Sequence, residues 1–307
     1  MVVPTDNSEF RYLPEQAQAL GVPVPSAKRV AVSLADGREL SAVKYGDAPP
    51  TITLLHGAGL NAHTWDTTVL HLQQPLLAID LAGHGDSSWR DDADYTARTL
   101  ATDVIFALEQ WTSEPQVLVG QSLGGLTAAA IASARPDLVR ELITVDITPG
   151  IDTSGGPSAL REFYAGPTDF ASREEMVDRA IAAGFGGARE DTARGVFFNT
   201  RIRPDGRVEW KHHFARLAAQ VFAAPEKGVP AARAVLQETG WEDLHGVTAP
   251  LTLIRATSGF VSEENGDELQ HRIPAAQVVP LDATHNVQET APRELAELIL
   301  AAVNSPA

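Results

Sequence analysis

Val117-Leu118-Val119-Gly120-Gln121-Ser122-Leu123-Gly124-Gly125-Leu126 is the stretch that decides the fold of this chain. Its apolar start predicts a buried strand, and the alanine-rich residues 127–134 that follow predict a helix. Gly-x-Ser-x-Gly between a strand and a helix predicts a sharp turn that exposes the serine hydroxyl, with Gly120 and Gly124 allowing close backbone approach. The alternative is a glycine-rich turn whose serine only caps the helix. The strand before the turn and the helix after it favour Ser122 as a nucleophile.

Strands and helices alternate on both sides of this stretch. Apolar runs at 51–55, 76–80, 142–146, 251–255 and 277–281 predict further strands, and helical spacing separates them. Such alternation predicts an α/β fold, with a mostly parallel central sheet flanked by helices on both faces. Ahead of it, two alternating segments around Asp36-Gly37 predict a β-hairpin.

The same patterns divide the chain into three parts. Residues 1–25, which contain four prolines, are predicted to be a lead-in rather than a domain. Residues 26–148 and 241–307 are predicted to form the α/β core. Residues 149–240 interrupt the alternation with helical patterns, and we expect a helical cap, or lid, over the carboxyl edge of the sheet.

Composition narrows the possible functions. The 307 residues carry 24 Lys and Arg against 40 Asp and Glu, a net charge of −16, which argues against nucleic acid or an anionic membrane surface as a partner. The chain has no cysteine, so disulfides and thiolate chemistry are excluded. Neither a signal-peptide pattern nor an apolar run of the ~18 residues of a membrane span occurs, and a cytoplasmic protein is expected.

A serine nucleophile needs a base, and the base needs a carboxylate that fixes its tautomer. His285, which follows the last predicted strand, is the best-placed base. Asp146, at the end of the strand after the nucleophile, is the preferred acid. The competing carboxylates, which lie near the later strands, are Glu263, Glu264 and Asp282.

Backbone N–H groups are expected to stabilise the developing oxyanion. One is that of Leu123, at the start of the helix, and the other is that of Ala58, in a glycine-bordered loop. His56-Gly57-Ala58-Gly59 lacks the glycine spacing of a dinucleotide site, and Gly-Lys-Ser/Thr is absent from the sequence, so no cofactor is expected. The adjacent His212 and His213 do not have metal-ligand spacing, so no metal is expected.

Four motifs in order resemble the α/β-hydrolase superfamily, from about residue 28 to the end. They are His56-Gly-Ala-Gly59, Asp80-Leu-Ala-Gly-His84-Gly-Asp-Ser-Ser88, Gly120-Gln-Ser-Leu-Gly-Gly125 and His285-Asn-Val-Gln-Glu-Thr-Ala-Pro292. The resemblance implies Ser122 as nucleophile, His285 as base, Ala58 and Leu123 as oxyanion donors, and a helical lid. The chain departs from the commonest pattern at the acid, and esterase- and lipase-like members resemble it in placing that acid after the sixth strand.

The expected function is that of a serine hydrolase that cleaves a carboxylic ester or lactone through an acyl-enzyme on Ser122. Serine at 122 excludes the relatives that attack with aspartate. The expected partner is a small, largely apolar acyl substrate, and the chain is expected to act as a monomer or homodimer. Residues predicted to line the pocket are His63, Gln121, Phe185, Phe198 and Trp210. Alternatives are a carbon–carbon bond hydrolase or cofactor-free oxygenase of the same fold, and a non-catalytic small-ligand receptor.

Overall fold

An eight-stranded sheet forms the centre of the molecule in the computed structural model, which describes residues 8–151, 166–184, 187–217 and 240–305. The strands are β1 Ala27–Ser33, β2 Glu39–Tyr45, β3 Ile52–Leu55, β4 Leu76–Asp80, β5 Gln116–Gln121, β6 Val139–Val145, the short β7 Asp169–Phe170, β8 Thr200–Ile202 and β9 Val208–Trp210, and then β10 Leu251–Ser258 and β11 Gln277–Thr284. The order in the large sheet is β1-β2-β4-β3-β5-β6-β10-β11.

Most of this sheet is parallel, as predicted. The neighbours from β4 through β3, β5, β6 and β10 to β11 all pair in parallel. The strands β1 and β2 form the predicted antiparallel hairpin, and β2 joins β4 antiparallel. Gly37 takes φ 84° in the turn of the hairpin, a backbone conformation that glycine adopts without strain.

Helices cover both faces of the sheet. They are α1 Leu13–Leu20, α2 Asp66–Leu72, α3 Ala97–Trp111, α4 Leu123–Ala134, α5 Arg173–Ala182, α6 Arg189–Asn199, α7 Gly240–Gly246, α8 Glu263–Arg272, α9 Val287–Thr290 and α10 Pro292–Asn304, with 3₁₀ turns at Ala62–Trp65 and Pro136–Leu138. None of the helices within the described ranges is both long and apolar enough to cross a membrane.

Two apolar cores lie on opposite faces of the sheet. Side chains of α3 and α4, such as Leu108 and Ile131, pack on one face. Those of α2 and α10, such as Leu70 and Ile299, pack on the other, together with Leu13 of the lead-in. Because helices bury both faces, the central strands are apolar on both sides, which explains the continuous apolar runs in the sequence.

The insertion after β6 contains more than helices. Its described residues form α5, α6 and a three-stranded antiparallel sheet of order β7-β9-β8, in which residues 203–207 make the turn between β8 and β9. The insertion was predicted to be helical, and its described part also contains these strands, which the sequence pattern does not indicate because strands of two or three residues are too short to show alternation. A separate apolar cluster that includes Phe170, Met176 and Trp210 holds these elements together.

The two ends of the insertion lie side by side. A Cβ atom on Gly240, where α7 begins, would approach Pro149 Cγ to 2.7 Å. The chain therefore leaves the core and returns to it at nearly the same place.

Candidate active site

Ser122 lies on the turn between β5 and α4. Its backbone takes φ 53° and ψ −121°, a conformation that L-residues rarely adopt and that stores strain. Strand and helix approach so closely that a Cβ on Gly120 would lie 2.2 Å from the carbonyl oxygen of Gly124. The small residues predicted around the serine are therefore required by the geometry of the turn.

Asp146 and His285 come together from the ends of β6 and β11. The imidazole Nδ1 of His285 lies 2.7 Å from Oδ2 of Asp146, whose side chain is completely buried (0% exposed). Since an ionised carboxylate can only accept, Nδ1 carries the proton in this pair and Nε2 is left with its lone pair. That arrangement is the one a general base needs.

The end of β10 and the loop after it enclose the Asp146 carboxylate. They supply three backbone N–H donors, that of Ala256 in the strand at 3.1 Å and those of Phe260 at 2.7 Å and Val261 at 3.4 Å in the loop. The backbone of this part of the chain thus binds an acid that follows β6. These hydrogen bonds satisfy a buried charge that would otherwise be costly.

The competing carboxylates lie elsewhere. The side chain of Glu263 is 81% exposed and pairs with Arg255, and Glu264 is also exposed. Asp282 is exposed and accepts from Thr257 Oγ1 at 3.3 Å. Among the candidate acids, the structure brings Asp146 to His285.

The loop after β3 lies against the nucleophile. A Cβ on Gly57 would approach Ser122 Cβ to 3.1 Å, so Ala58, the next residue, follows the point of contact. His56 fixes the loop with both ring nitrogens, since Nδ1 contacts the carbonyl oxygen of Gly57 at 2.8 Å and Nε2 accepts from Leu81 N at 3.0 Å. Burial lowers the pKa of His56 against the opposing charge of Asp80, which keeps the ring neutral for this role.

Leu123 begins α4 immediately after the serine. The N–H groups of a first helical turn have no partner within the helix, and the helix dipole adds positive potential there. Both predicted oxyanion donors thus flank Ser122, one in the chain and one across the site.

Phe260 is a site residue that the sequence did not indicate. Its ring stacks on the imidazole of His285, with centroids 3.8 Å apart and planes at 19°. The turn that contains it carries no charge, and only the fold brings it against the base. The ring covers one face of the imidazole and restricts its orientation.

Gln121 does not line a pocket as predicted, because its side chain is completely buried between two loops. Its Nε2 donates to the backbone carbonyl of His285 at 3.2 Å, and its Oε1 lies so near Gly57 that a Cβ there would be 2.2 Å away. The residue before the nucleophile therefore connects the loop of the base with the loop of Ala58.

His63 and Phe198 do lie together, where the core meets the insertion. Their rings stack with centroids 4.1 Å apart and planes at 13°. The His63 ring also contacts Asp66 at 3.1 Å and Glu9 at 3.3 Å. Burial alone would lower the pKa of His63, but these carboxylates outweigh it and raise the pKa to about 9.

The two remaining predicted pocket residues are Trp210 and Phe185. Trp210 packs into the core of the insertion, with its ring perpendicular to that of Phe170 at 6.2 Å. Phe185 lies outside the described residues. In the ranges that the structure describes, no group of three or more His, Asp or Glu side chains could hold a metal ion.

Known proteins are similar to this chain in both sequence and fold. Residues 50–292 match the family profile described as the alpha/beta hydrolase fold. The chain is 34% identical over 305 residues to Esterase Rv0045c of Mycobacterium tuberculosis, covering 96% of this chain and 95% of that protein. A solved structure of that esterase superposes with a TM-score of 0.81 at 33% identity, covering 97% of this chain and 99% of the other. Lipase LipV of the same organism is 28% identical over 269 residues, covering 85% of this chain and 96% of its own. With a profile that spans most of the chain and a relative that aligns over nearly its full length, the protein belongs to the α/β-hydrolase fold family.

Proposed function

We propose that the protein hydrolyses a carboxylic ester or lactone through an acyl-enzyme on Ser122. The observation that carries the proposal is the 2.7 Å contact between His285 and the buried Asp146, at the sheet edge where Ser122 follows β5. The 34% identity to an esterase supports the same reaction class.

The mechanism assigns one role to each residue. Ser122 Oγ attacks the acyl carbon while His285 Nε2 takes its proton, and Asp146 stabilises the resulting imidazolium. The N–H groups of Ala58 and Leu123 bind the oxyanion of the tetrahedral intermediate. His285 then gives the proton to the departing alkoxide, which leaves the acyl group on Ser122. Water, activated by His285, repeats the sequence and releases the carboxylic acid.

The remaining assignments complete the proposal. The insertion, residues 149–240, acts as a cap domain over the carboxyl edge of the core, since its described part has an apolar cluster of its own. The substrate is a small molecule with a largely apolar acyl group, no cofactor takes part, and the chain works in the cytoplasm as a monomer or homodimer.

Hydrolysis of p-nitrophenyl acetate and p-nitrophenyl butyrate tests the activity. Wild-type protein is expected to release nitrophenolate with a burst close to the enzyme concentration, because the good leaving group makes acylation of Ser122 faster than deacylation and the acyl-enzyme accumulates. A fluorophosphonate should add its mass to the peptide that contains Ser122. Ser122→Ala should abolish the burst and the labelling, whereas Ser113→Ala, at an exposed position, should preserve both.

The rival functions predict other outcomes. Turnover of an activated diketone without turnover of either ester would favour the carbon–carbon hydrolase, and oxygen consumption without added cofactor would favour the oxygenase. Ligand binding with neither turnover nor labelling would favour a receptor, and would contradict the proposal.

A further inference from the structure

A cavity lies between the N-terminal segment, the 3₁₀ turn at Ala62–Trp65 and the insertion. It measures about 300 Å³, within the size range of small-molecule sites. Its walls include Glu9, His63, Arg173, Phe197, Phe198 and Ile202, but none of Ser122, Asp146 and His285. The described residues that line it therefore do not include the triad, although His63 and Phe198 are among the predicted pocket residues.

The walls of this cavity carry more positive than negative charge. Two further cations, Arg201 and Lys211, line it, and each is paired with a carboxylate outside the lining, Glu209 at 2.7 Å and Asp86 at 2.8 Å. Glu9, which is the one carboxylate among the described lining residues, pairs with Arg29 at 2.6 Å and with His63 at 3.3 Å.

Arg173 differs from Arg201 and Lys211 because it is held by an uncharged residue. Its guanidinium donates to Thr200 Oγ1 at 2.9 Å and to the Thr200 carbonyl at 3.3 Å, and it forms no ion pair with any carboxylate of the described ranges. These two contacts use Nε and one N–H of Nη2, so the other N–H groups of the guanidinium remain able to bind an acceptor. In a chain with 40 acidic and 24 basic residues, a half-buried arginine without a carboxylate indicates a place for an anion from outside.

A second arginine strengthens this positive region. Arg11 and Arg173 lie over the ring of Phe197, at 4.2 and 4.7 Å from its centroid. Burial, and then the charge of Arg11, lower the pKa of Arg173, which means that the two cations repel each other. A bound anion would relieve that repulsion.

Apolar side chains form part of the same walls. They are Phe197, over which the Arg173 guanidinium lies, Phe198 and Ile202, and Ile202 is 60% exposed although it is a large aliphatic residue. A ligand that matches both the cation and these side chains has one anionic group and an apolar chain. A carboxylate suits the planar donor face of a guanidinium, which binds it through parallel hydrogen bonds.

We propose that this cavity binds an amphiphilic carboxylate, with the anionic group on Arg173 and the apolar chain against Phe197 and Ile202. The site does not depend on the proposed ester hydrolysis, since it shares no residue with the triad.

Calorimetric titration of the full chain with decanoate tests the proposal. Wild-type protein should bind decanoate, and Arg173→Gln should weaken binding about tenfold or more, because a charge-assisted hydrogen bond is lost. The matched control is Arg293→Gln, which removes an arginine that is 72% exposed on α10, and it should leave the affinity unchanged. Equal affinities in the two variants, or no binding by the wild type at millimolar decanoate, would refute the site.

Two further probes separate the parts of the ligand. Decanol, which has the chain without the charge, should bind about tenfold more weakly than decanoate. Inorganic phosphate, which has charge without a chain, should not compete with decanoate. Competition by phosphate at equal concentration would contradict the role of the apolar wall.

A second pair of variants covers the case in which Arg173→Gln does not fold, since Arg173 also holds Thr200. Ile202→Glu and Ile202→Gln change an exposed residue of β8 to isosteric polar groups that differ in charge. The glutamate should weaken decanoate binding more than the glutamine does, with equal melting temperatures. Equal binding by both variants would overturn the proposal.

Discussion

The side-chain amide of Gln121 donates to the backbone carbonyl of His285 at 3.2 Å, so the residue before the nucleophile holds the loop of the base. Only Nε2 can face a carbonyl oxygen, which places Oε1 against Gly57. Within the described part of the chain, Oε1 accepts no hydrogen bond. The amide of Gln121 therefore acts here through its N–H donor.

Gln121→Leu should lower kcat about ten- to a hundredfold with KM little changed, because a small displacement of the base misaligns proton transfer. Kinetics with p-nitrophenyl butyrate measure this effect. The control is Gln116→Leu, which removes a buried glutamine at the other end of β5 and should lower the melting temperature without lowering kcat. Equal losses of kcat in the two variants would show a general effect of burial.

Asp146→Asn should lower kcat about 10⁴-fold, as expected when the carboxylate that fixes the histidine tautomer becomes neutral. The oxygen of the amide can still accept from Nδ1 of His285, but the amide carries no negative charge to stabilise the imidazolium, and its NH₂ group can only donate. Glu263→Gln and Asp282→Asn, at exposed positions, should keep near-normal turnover. A large loss of turnover in either of these two variants, with turnover preserved in Asp146→Asn, would show that the acid is Glu263 or Asp282 and not Asp146.

Phe260→Ala should lower kcat about two- to tenfold, since a stacked ring contributes on the order of 1 kcal/mol to the position of its partner. The backbone N–H of residue 260 still donates to Asp146 in this variant, so the effect isolates the ring. Phe260→Tyr, which keeps an aromatic ring, should have a kcat close to that of the wild type. If tyrosine and alanine gave the same kcat, stacking on His285 would have no part in turnover.

The stability of the fold should decrease as the pH rises from about 6.5 to about 9, because the pKa of His63 is raised to about 9 in the folded state. A raised pKa means that the folded state holds the proton more tightly. The contribution of protonated His63 to the free energy of unfolding is complete below the pKa of histidine in the unfolded chain. It is lost as the pH rises through the pKa of His63 in the folded state. The groups that face the ring are Asp66, Glu9 and Arg29, with Phe198 stacked on it.

Urea unfolding at pH 6 and pH 9.5 measures the change, which should be of the order of a few kcal/mol. In His63→Gln the difference between the two pH values should shrink, whereas His271→Gln, at an exposed position of α8, should keep the wild-type difference. An unchanged difference in His63→Gln would assign the pH dependence to other groups.

The core of the fold could be predicted because its determinants are local. Asp36-Gly37 predicts a hairpin by its turn chemistry, and the apolar strands alternate with helices over ranges long enough to show their period. The small sheet of the insertion could not be predicted, since Val208–Trp210 is too short to show a pattern. The same limit applies wherever tertiary pairing, rather than local preference, forms a strand.

The site divides in a similar way. Ser122, Asp146 and His285 follow strands whose ends must meet at one edge, so topology predicts their meeting, and the structure brings Asp146 and His285 into contact. Phe260 could not be predicted, because its position depends on how an uncharged turn folds around Asp146. The raised pKa of His63 depends first on Asp66, three residues away, and then on Glu9, which is distant in sequence and belongs to the segment predicted to be only a lead-in.

The contact between Gly240 and Pro149 has a consequence for how this family can diversify. A segment whose ends touch can be lengthened, shortened or exchanged without pulling on the strands it interrupts. The core strands β6 and β10 pair directly across the insertion, so the catalytic scaffold closes independently of what the chain does between them. The insertion can therefore be exchanged as a unit. Recombination at these two positions could give the same triad a new substrate specificity.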